Sequence, residues 1–322
     1  MKDCGVHGLG SSVRIRRSKL VDRDRRQVFH VVSRVVDRRK IFGTEERRFF
    51  LATLRRLEAF CGIQVLTYSL MGNHFHLLLL VPSQSALDRQ QLFSRAKQFY
   101  SGNPGRLRLL ERMFHEAKDT QALSELCERI RARMGDISVF VKELKESFSR
   151  WYNKREGRVG TLWEGRFRSV LVEIGMSALT AVARYIEMNS VRAGLVDEPD
   201  QFAFCGYGES RRGGKAAIDG LFRLHQLVGN AGESEPASVL KTHARRFLNA
   251  DGNSVHSRCG TNGRVRAMSE GIMLGRLSWT LATMRLRGIG RISAWREVES
   301  SRGLRSSEPL VSAMDCRREI VA

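Results

Sequence analysis

Tyr68-Ser69-Leu70-Met71-Gly72-Asn73-His74-Phe75-His76-Leu77-Leu78-Leu79-Leu80-Val81 decides the fold. It reads as two apolar strands joined at a tight Gly-Asn turn. Side chains alternate along a strand, so His74 and His76 share one face, and Phe75 points to the other. Two imidazoles side by side on one strand can grip one divalent metal and leave its other positions open. The competing reading is a pair of packed, hydrogen-bonded strand histidines, and the spacing alone leaves both open.

The flanking sequence builds outward from this hairpin. Val28 to Val36 is rich in β-branched residues and reads as a strand. Thr44 reads as the N-cap, with Glu45 and Glu46 in the first turn, of a helix whose stripe includes Phe50, Leu54 and Leu57. It runs to about Phe60, and Gly62 ends it. Ile63–Met71 and His74–Val81 follow as strands two and three. After an interruption, Asp136 caps an amphipathic helix carrying Ile137, Phe140, Val141, Leu144, Phe148, Trp151 and Tyr152. A fourth strand starts near Phe167, and a further helix starts at Ser177 or Thr180 and ends near Gly194. The order strand-helix-strand-strand-helix-strand is the ferredoxin-like split pattern. It predicts an α+β fold with an antiparallel sheet.

Three regions lie outside that core. Residues 1–26 form a basic N-terminal arm, either a solvated tail or an arm for phosphates. Residues 83–135 are charged and helical in character and read as an insertion within the main domain, 27–210. Arg211-Arg212-Gly213-Gly214-Lys215 resembles a linker. Beyond it, 211–322 reads as a basic, mostly helical accessory region, with helical pieces near 221–228, 237–248 and 268–284 and a polar loop over 252–263.

The chain has 322 residues and a formal net charge of +21. Such a surplus seeks a polyanion, and nucleic acid is the first candidate. A membrane surface fits less well, because the cations are not gathered on one amphipathic helix. The apolar run Leu77–Val81 is far short of the roughly 20 residues a membrane span needs. No apolar leader follows the start, so a cytoplasmic location is expected. The six cysteines make no Cys-x-x-Cys pair, which argues against a zinc ribbon and for reduced, mostly buried thiols.

Tyr185 and Asn189 lie four apart on the last core helix and share a face. A tyrosine hydroxyl is a competent nucleophile in a suitable metal or base environment. An amide oxygen is a hard ligand suited to Mg²⁺ or Mn²⁺. A core tyrosine and a helix-end asparagine would give the same pattern.

Three stretches in order carry a family resemblance: Leu70 to Leu78, Gly160-Thr161-Leu162-Trp163-Glu164-Gly165-Arg166-Phe167-Arg168-Ser169, and Arg184-Tyr185-Ile186-Glu187-Met188-Asn189-Ser190-Val191-Arg192-Ala193-Gly194-Leu195-Val196. Together with Phe29–Arg34 and Asp37–Phe42 they resemble the single-tyrosine HUH transposases of the IS200-like type, most closely the REP-associated tyrosine transposase branch. The resemblance spans roughly 14–210. It implies that His74 and His76 hold a divalent metal with Asn189 as third ligand. It also implies that Tyr185 cuts single-stranded DNA near hairpins through a 5′-phosphotyrosine link. Gly72 and Ser190 stand where the family commonly has proline, which leaves room for reduced activity.

Arg34, Arg38, Arg39, Arg166, Arg168, Arg184 and Arg192 lie near the site segments and suit phosphate. Trp163 is a candidate base-stacking surface, and Phe167 reads more as packing. His30 reads as a strand histidine with a structural partner. The expectation is therefore a DNA strand transferase. The rival is a domesticated hairpin-DNA-binding protein that no longer cuts. An RNA-binding protein of ferredoxin-like type lacks its aromatic strand motif here. Whether the protein acts as monomer or homodimer is not written in the sequence.

Overall fold

A computed structural model describes residues 19–83, 87–115, 120–229, 236–248, 268–269, 271–289, 294–297 and 309–314. The core elements are β1 (Gln27–Arg34), α1 (Thr44–Cys61), β2 (Gln64–Leu70), β3 (His74–Val81), α5 (Ile137–Arg155), β4 (Arg168–Val172) and α6 (Met176–Glu187). Strands run in the order β2-β3-β1-β4, all antiparallel. This is the ferredoxin-like α+β arrangement that the pattern predicts.

Local chemistry sets the element ends. Gly62 takes φ +73° and closes α1 with its N–H on the Glu58 carbonyl, the left-handed stop that glycine reaches without strain. Gly43, not Thr44, is the cap residue at the other end. The Asp136 carboxylate accepts the Ser138 and Val139 N–H groups at the start of α5. α6 breaks at Met188 and resumes as a one-turn helix, α7 (Asn189–Arg192), so the segment bends between Tyr185 and Asn189.

The sheet is covered on both faces. On one, Phe29, Val31, Phe75, Leu77 and Leu79 pack against α1 and α5. On the other, Val28, Leu78, Leu80, Val170 and Val172 pack against α6. The alternation along β3 thus sends Phe75 into the first core and leaves His74 and His76 on the second face. The insertion contributes α2 (Arg89–Tyr100), α3 (Pro104–His115) and α4 (Thr120–Arg131), and α2 packs on α1.

The C-terminal region holds α8 (Gly206–Arg211), α9 (Lys215–Leu227), α10 (Pro236–His243) with a π-helical turn (Ala244–Leu248), and α11 (Leu277–Leu286). The helical pieces expected near 221–228 and 237–248 fall on α9 and on α10 with its turn, but the piece expected over 268–284 is helical only from Leu277, because Met273–Arg276 pairs into the sheet as a strand. The region also holds three strands that the sequence reading does not place, β5 (Met273–Arg276), β6 (Ala294–Glu297) and β7 (Leu310–Met314). They extend the same sheet to seven strands, β2-β3-β1-β4-β5-β7-β6. The β4–β5 pair is parallel, so the sheet is antiparallel through its core and mixed at this junction. Buried Glu173 secures the junction by accepting the N–H of Arg276 and pairing with its guanidinium. The stretch read as a linker, 211–215, is a tight turn between α8 and α9 with Gly213 at φ +81°. Residues 1–18 of the expected N-terminal arm and the polar loop 252–263 lie outside the described residues.

α9 packs on β2 through Gly220, where an added Cβ would stand 2.4 Å from the Val65 carbonyl oxygen and 2.8 Å from that of Leu66. Both are backbone atoms and cannot swing away. Helix propensity favours Gly220→Ala by about 1 kcal/mol, but the steric cost of overpacking, about 1–3 kcal/mol, is larger. Gly220→Ala should therefore lower the thermal midpoint; an unchanged or raised midpoint would show that α9 does not approach β2 so closely.

Candidate active site

Antiparallel pairing of β1 with β3 brings His30 and His76 to the same sheet face, and α6 lays Tyr185 across them. His30 and His76 stack with ring centroids 5.2 Å apart. The Tyr185 ring meets His76 edge-on at 5.5 Å and His30 at 5.7 Å. His74 and His76 lie 5.0 Å apart. His30 and His76 are buried, His74 is half-buried, and Tyr185 is 7% exposed.

Hydrogen bonds fix which nitrogen of each ring carries its proton. The Met268 carbonyl, 2.7 Å from His30 Nδ1, can only accept. His30 therefore donates from Nδ1, and its Nε2 accepts from His76 Nδ1 at 3.0 Å. His76 Nε2 is left with its lone pair. His74 repeats the logic: its Nδ1 donates to Asn73 Oδ1 at 2.6 Å, while Asn73 Nδ2 donates to the Arg38 carbonyl at 2.9 Å. Such outer partners orient imidazoles for metal ligation. Asp37 and Arg38 hold left-handed backbone at φ 55° and 53°, a strained conformation for side-chain-bearing residues. That loop is what presents the Arg38 carbonyl to Asn73.

The surroundings keep all three rings neutral. Burial pushes His30 down to about 4. Burial, and secondarily Arg34, pushes His74 down to about 4. Burial also holds His76 well below the ordinary histidine value, with His74, His30, Arg192 and Arg34 adding to it. Neutral imidazoles with bare Nε2 atoms are the donor form a divalent ion needs, so the pair fits the implied metal. Among the described residues no group of three or more His, Cys, Asp or Glu is placed to hold an ion. A third protein ligand would have to be of another kind. Asn189 donates its Nδ2 to the Tyr185 and Ile186 carbonyls, so Oδ1 is its one atom of ligand type not used in these bonds.

Arg192 donates to the Tyr185 carbonyl and stands over the Tyr185 ring, 4.6 Å from its centroid. Arg34 and Arg184 are half-buried, and Arg38, Arg39, Arg166 and Arg168 are exposed. Lys145 on α5 donates to the Gly165 carbonyl at 2.7 Å, holding the turn that carries Arg166. Tyr152, the other tyrosine weighed from the sequence, stacks on Phe148 in the opposite core, across the sheet from the histidines. The Ser190 hydroxyl is buried without a hydrogen-bond partner among the described residues.

Trp163 needs correction. It is 7% exposed and packs among Phe42, Phe75 and Phe148. Its Nε1 donates to Ser149 Oγ at 2.8 Å. A ring enclosed in this way is a core residue and offers no face to a base. Phe167 is likewise buried.

A second buried polar cluster lies behind the tyrosine helix. Glu187 accepts from Thr67 Oγ1 at 2.5 Å and bonds His243 Nε2 at 2.6 Å. His225 follows at 3.4 Å from His243. The cluster joins α6 to β2, α9 and α10. Sequence reading missed Asn73 and Met268 as orienting partners, and also this cluster. Asn73 is adjacent in sequence and was legible as the residue before His74. Met268 contributes only a backbone carbonyl, which no side-chain pattern announces.

The fold and site define a ferredoxin-like sheet bearing a neutral histidine pair beneath a helix-borne tyrosine. Residues 25–101 match the family described as Transposase IS200 like. Over these residues the chain is similar to IS200-like transposases, as the motifs lead one to expect. No curated protein matches the chain. A solved structure described as "Structure of the REP associates tyrosine transposase bound to a REP hairpin" is similar at 12% identity and TM-score 0.38, over 58% of this chain and 79% of that one. No helix among the described residues is long and apolar enough to cross a membrane. Cys61, Cys127 and Cys205 are free and buried.

Two outcomes follow. Trp163→Ala should cost about 3–5 kcal/mol in urea unfolding, as for large core aromatics, with DNA affinity of the folded protein little changed; a large affinity loss at full stability would restore the stacking role. The histidines give a pH dependence. Their folded values lie below the 6.5 of the unfolded chain, so the unfolded state binds more protons at acid pH. Stability should be complete above pH 6.5 and fall as pH drops toward about 4. Thermal midpoints measured with chelator from pH 7.5 to 4.5 check this, and a flat profile in wild type, or an unaltered one in His30→Gln, would contradict it.

Proposed function

We propose that the protein is a DNA strand transferase that nicks and rejoins single-stranded DNA near hairpins. The observation that carries this reading is the contact of the Tyr185 ring with His76, on the sheet face that also bears His74. His74, His76 and Asn189 would hold a Mg²⁺ or Mn²⁺ ion. When bound, that ion supplies Lewis-acid polarisation of the scissile phosphate. Tyr185 Oη attacks phosphorus, a Tyr–O–P bond forms, and the P–O3′ bond breaks. The phenol proton is lost and the departing 3′-oxygen takes one up. The 5′-phosphotyrosine link stores the phosphodiester energy, so rejoining is the reverse attack by a 3′-hydroxyl.

Arg192, beside the Tyr185 ring, and Arg34, beside His74, place positive charge where the phosphate must sit. Arg38, Arg39, Arg166, Arg168 and Arg184 extend that charge along the strand path. The solved structure with a REP hairpin makes hairpin DNA the substrate to try first. This reading carries with it the cytoplasmic location expected from the sequence.

The burial of Tyr185 favours a second reading, a hairpin-binding protein that no longer cuts, because a side chain so largely covered must be uncovered before it meets DNA. One experiment separates them. Wild type is incubated with hairpin-bearing single-stranded DNA and Mn²⁺, and covalent adduct is sought by denaturing gel and mass spectrometry. An adduct on the Tyr185 peptide that vanishes in Tyr185→Phe and in His76→Ala supports the transferase. Tight binding with no adduct in wild type selects the binding protein, and an adduct on Tyr152 overturns the assignment.

A further inference from the structure

The helical insertion has no role in the site, yet it completes a polar cavity of about 470 Å³ between α1, α2, the start of α3 and α5. That size falls within the roughly 300–1,000 Å³ of small-ligand sites. Four arginines line it, Arg56, Arg106, Arg133 and Arg150, against two carboxylates, Glu143 and Glu146. Arg133 is the floor. It makes a two-pronged pair with Glu143 at 2.7 and 2.8 Å, donates to Tyr100 Oη at 2.9 Å, and lies over the Phe60 and Phe99 rings. The Glu146–Arg150 contact is long, 3.9 Å, between side chains 49% and 72% exposed, so solvent screens it. Arg56 and Arg106 are exposed, have no carboxylate partner among the described residues, and stand over the half-buried Phe99 and Tyr100 rings.

This cavity lies on the α1/α5 side of the sheet, and Tyr185 lies on the α6 side. It is therefore separate from the histidine site. Two guanidiniums without anions, poised on aromatic faces above a rigid arginine floor, match a phosphate and the base beside it. Guanidinium takes phosphate through its planar fork, and rings with stacked arginines take bases without regard to sequence.

We propose that this cavity is a second nucleic-acid contact, which binds one nucleotide of single-stranded DNA away from the reacting phosphate. The proposal rests on the DNA reading above and adds to it a substrate that reaches both faces of the protein. An acidic peptide would also satisfy the arginines, so crosslinking to the peptide that carries Phe99 and Tyr100 is what separates the two occupants.

The test uses the full chain carrying Tyr185→Phe, so binding is read without cleavage. Its affinity for a fluorescent 30-nucleotide single strand is measured against NaCl, with and without Arg56→Glu and Arg106→Glu together. Loss of the phosphate contact that the two arginines share should weaken binding about tenfold and flatten the log–log salt slope by about 0.7. An oligonucleotide bearing 5-iodouracil should photo-crosslink to the peptide containing Phe99 and Tyr100. Thermal midpoints check the fold, and the alanine pair replaces the glutamates if it is lost. An unchanged slope with crosslinks confined to other peptides overturns the proposal, including the case where an acidic peptide, and not DNA, binds there. If wild type forms its Tyr185 adduct while this occurs, only the second contact falls. If wild type binds no single-stranded DNA at all, both readings fall.

Discussion

Everything at the candidate site depends on one buried hydrogen-bond chain, from the Met268 carbonyl through His30 to His76. A carbonyl cannot donate, so the order of protons along the chain is set from its far end. Protonating either ring would bury a charge, and protonating His30 would also set its Nε2–H against the His76 Nδ1–H. The depressed values of His30 and His76 express that cost, with burial as its largest cause. The outcome is a single arrangement in which His76 presents a bare Nε2. The proton placement of His76 on β3 is thus decided by a backbone group some 190 residues later, at Met268.

The second constraint is on the tyrosine. Its helix is held from behind by Glu187, which is wholly buried and bonded to Thr67 and His243. A buried carboxylate without partners would cost several kcal/mol, so α6 is held to the rotation that keeps these bonds. That rotation is also the one that turns Tyr185 toward the histidines, two residues earlier on the same helix. The C-terminal helices supply His225 and His243, so the region after 211 helps set the tyrosine's position.

Much of the core was legible because local signals and tertiary packing agree there. Strand His74–Val81, the stop at Gly62 and the cap at Asp136 fall where alternation, a left-handed glycine and a capping carboxylate place them. The misses have physical reasons. Trp163 sits beside arginines in sequence and suggests a nucleic-acid surface, but its ring is enclosed by Phe42, Phe75 and Phe148 from distant segments. Strands β5 and β7 are 4 and 5 residues long, too short for a periodic signal, and exist through pairing with β4 and each other.

The same alternation that makes the site also divides the labour of the sheet. Every strand residue must choose one face, and in β3 the polar choice falls on His74 and His76 while Phe75 takes the other core. The side with Phe75 is closed by α1 and α5 in an aromatic core. An insertion attached there cannot reach the histidines without crossing the sheet. Its arginines can meet a long polyanion only at a second place along its length. Because single-stranded DNA is flexible, contact at two faces asks only for enough nucleotides between them. For a chain of net charge +21, that is a less costly way to gain affinity than crowding more cations around three histidines that have to stay neutral.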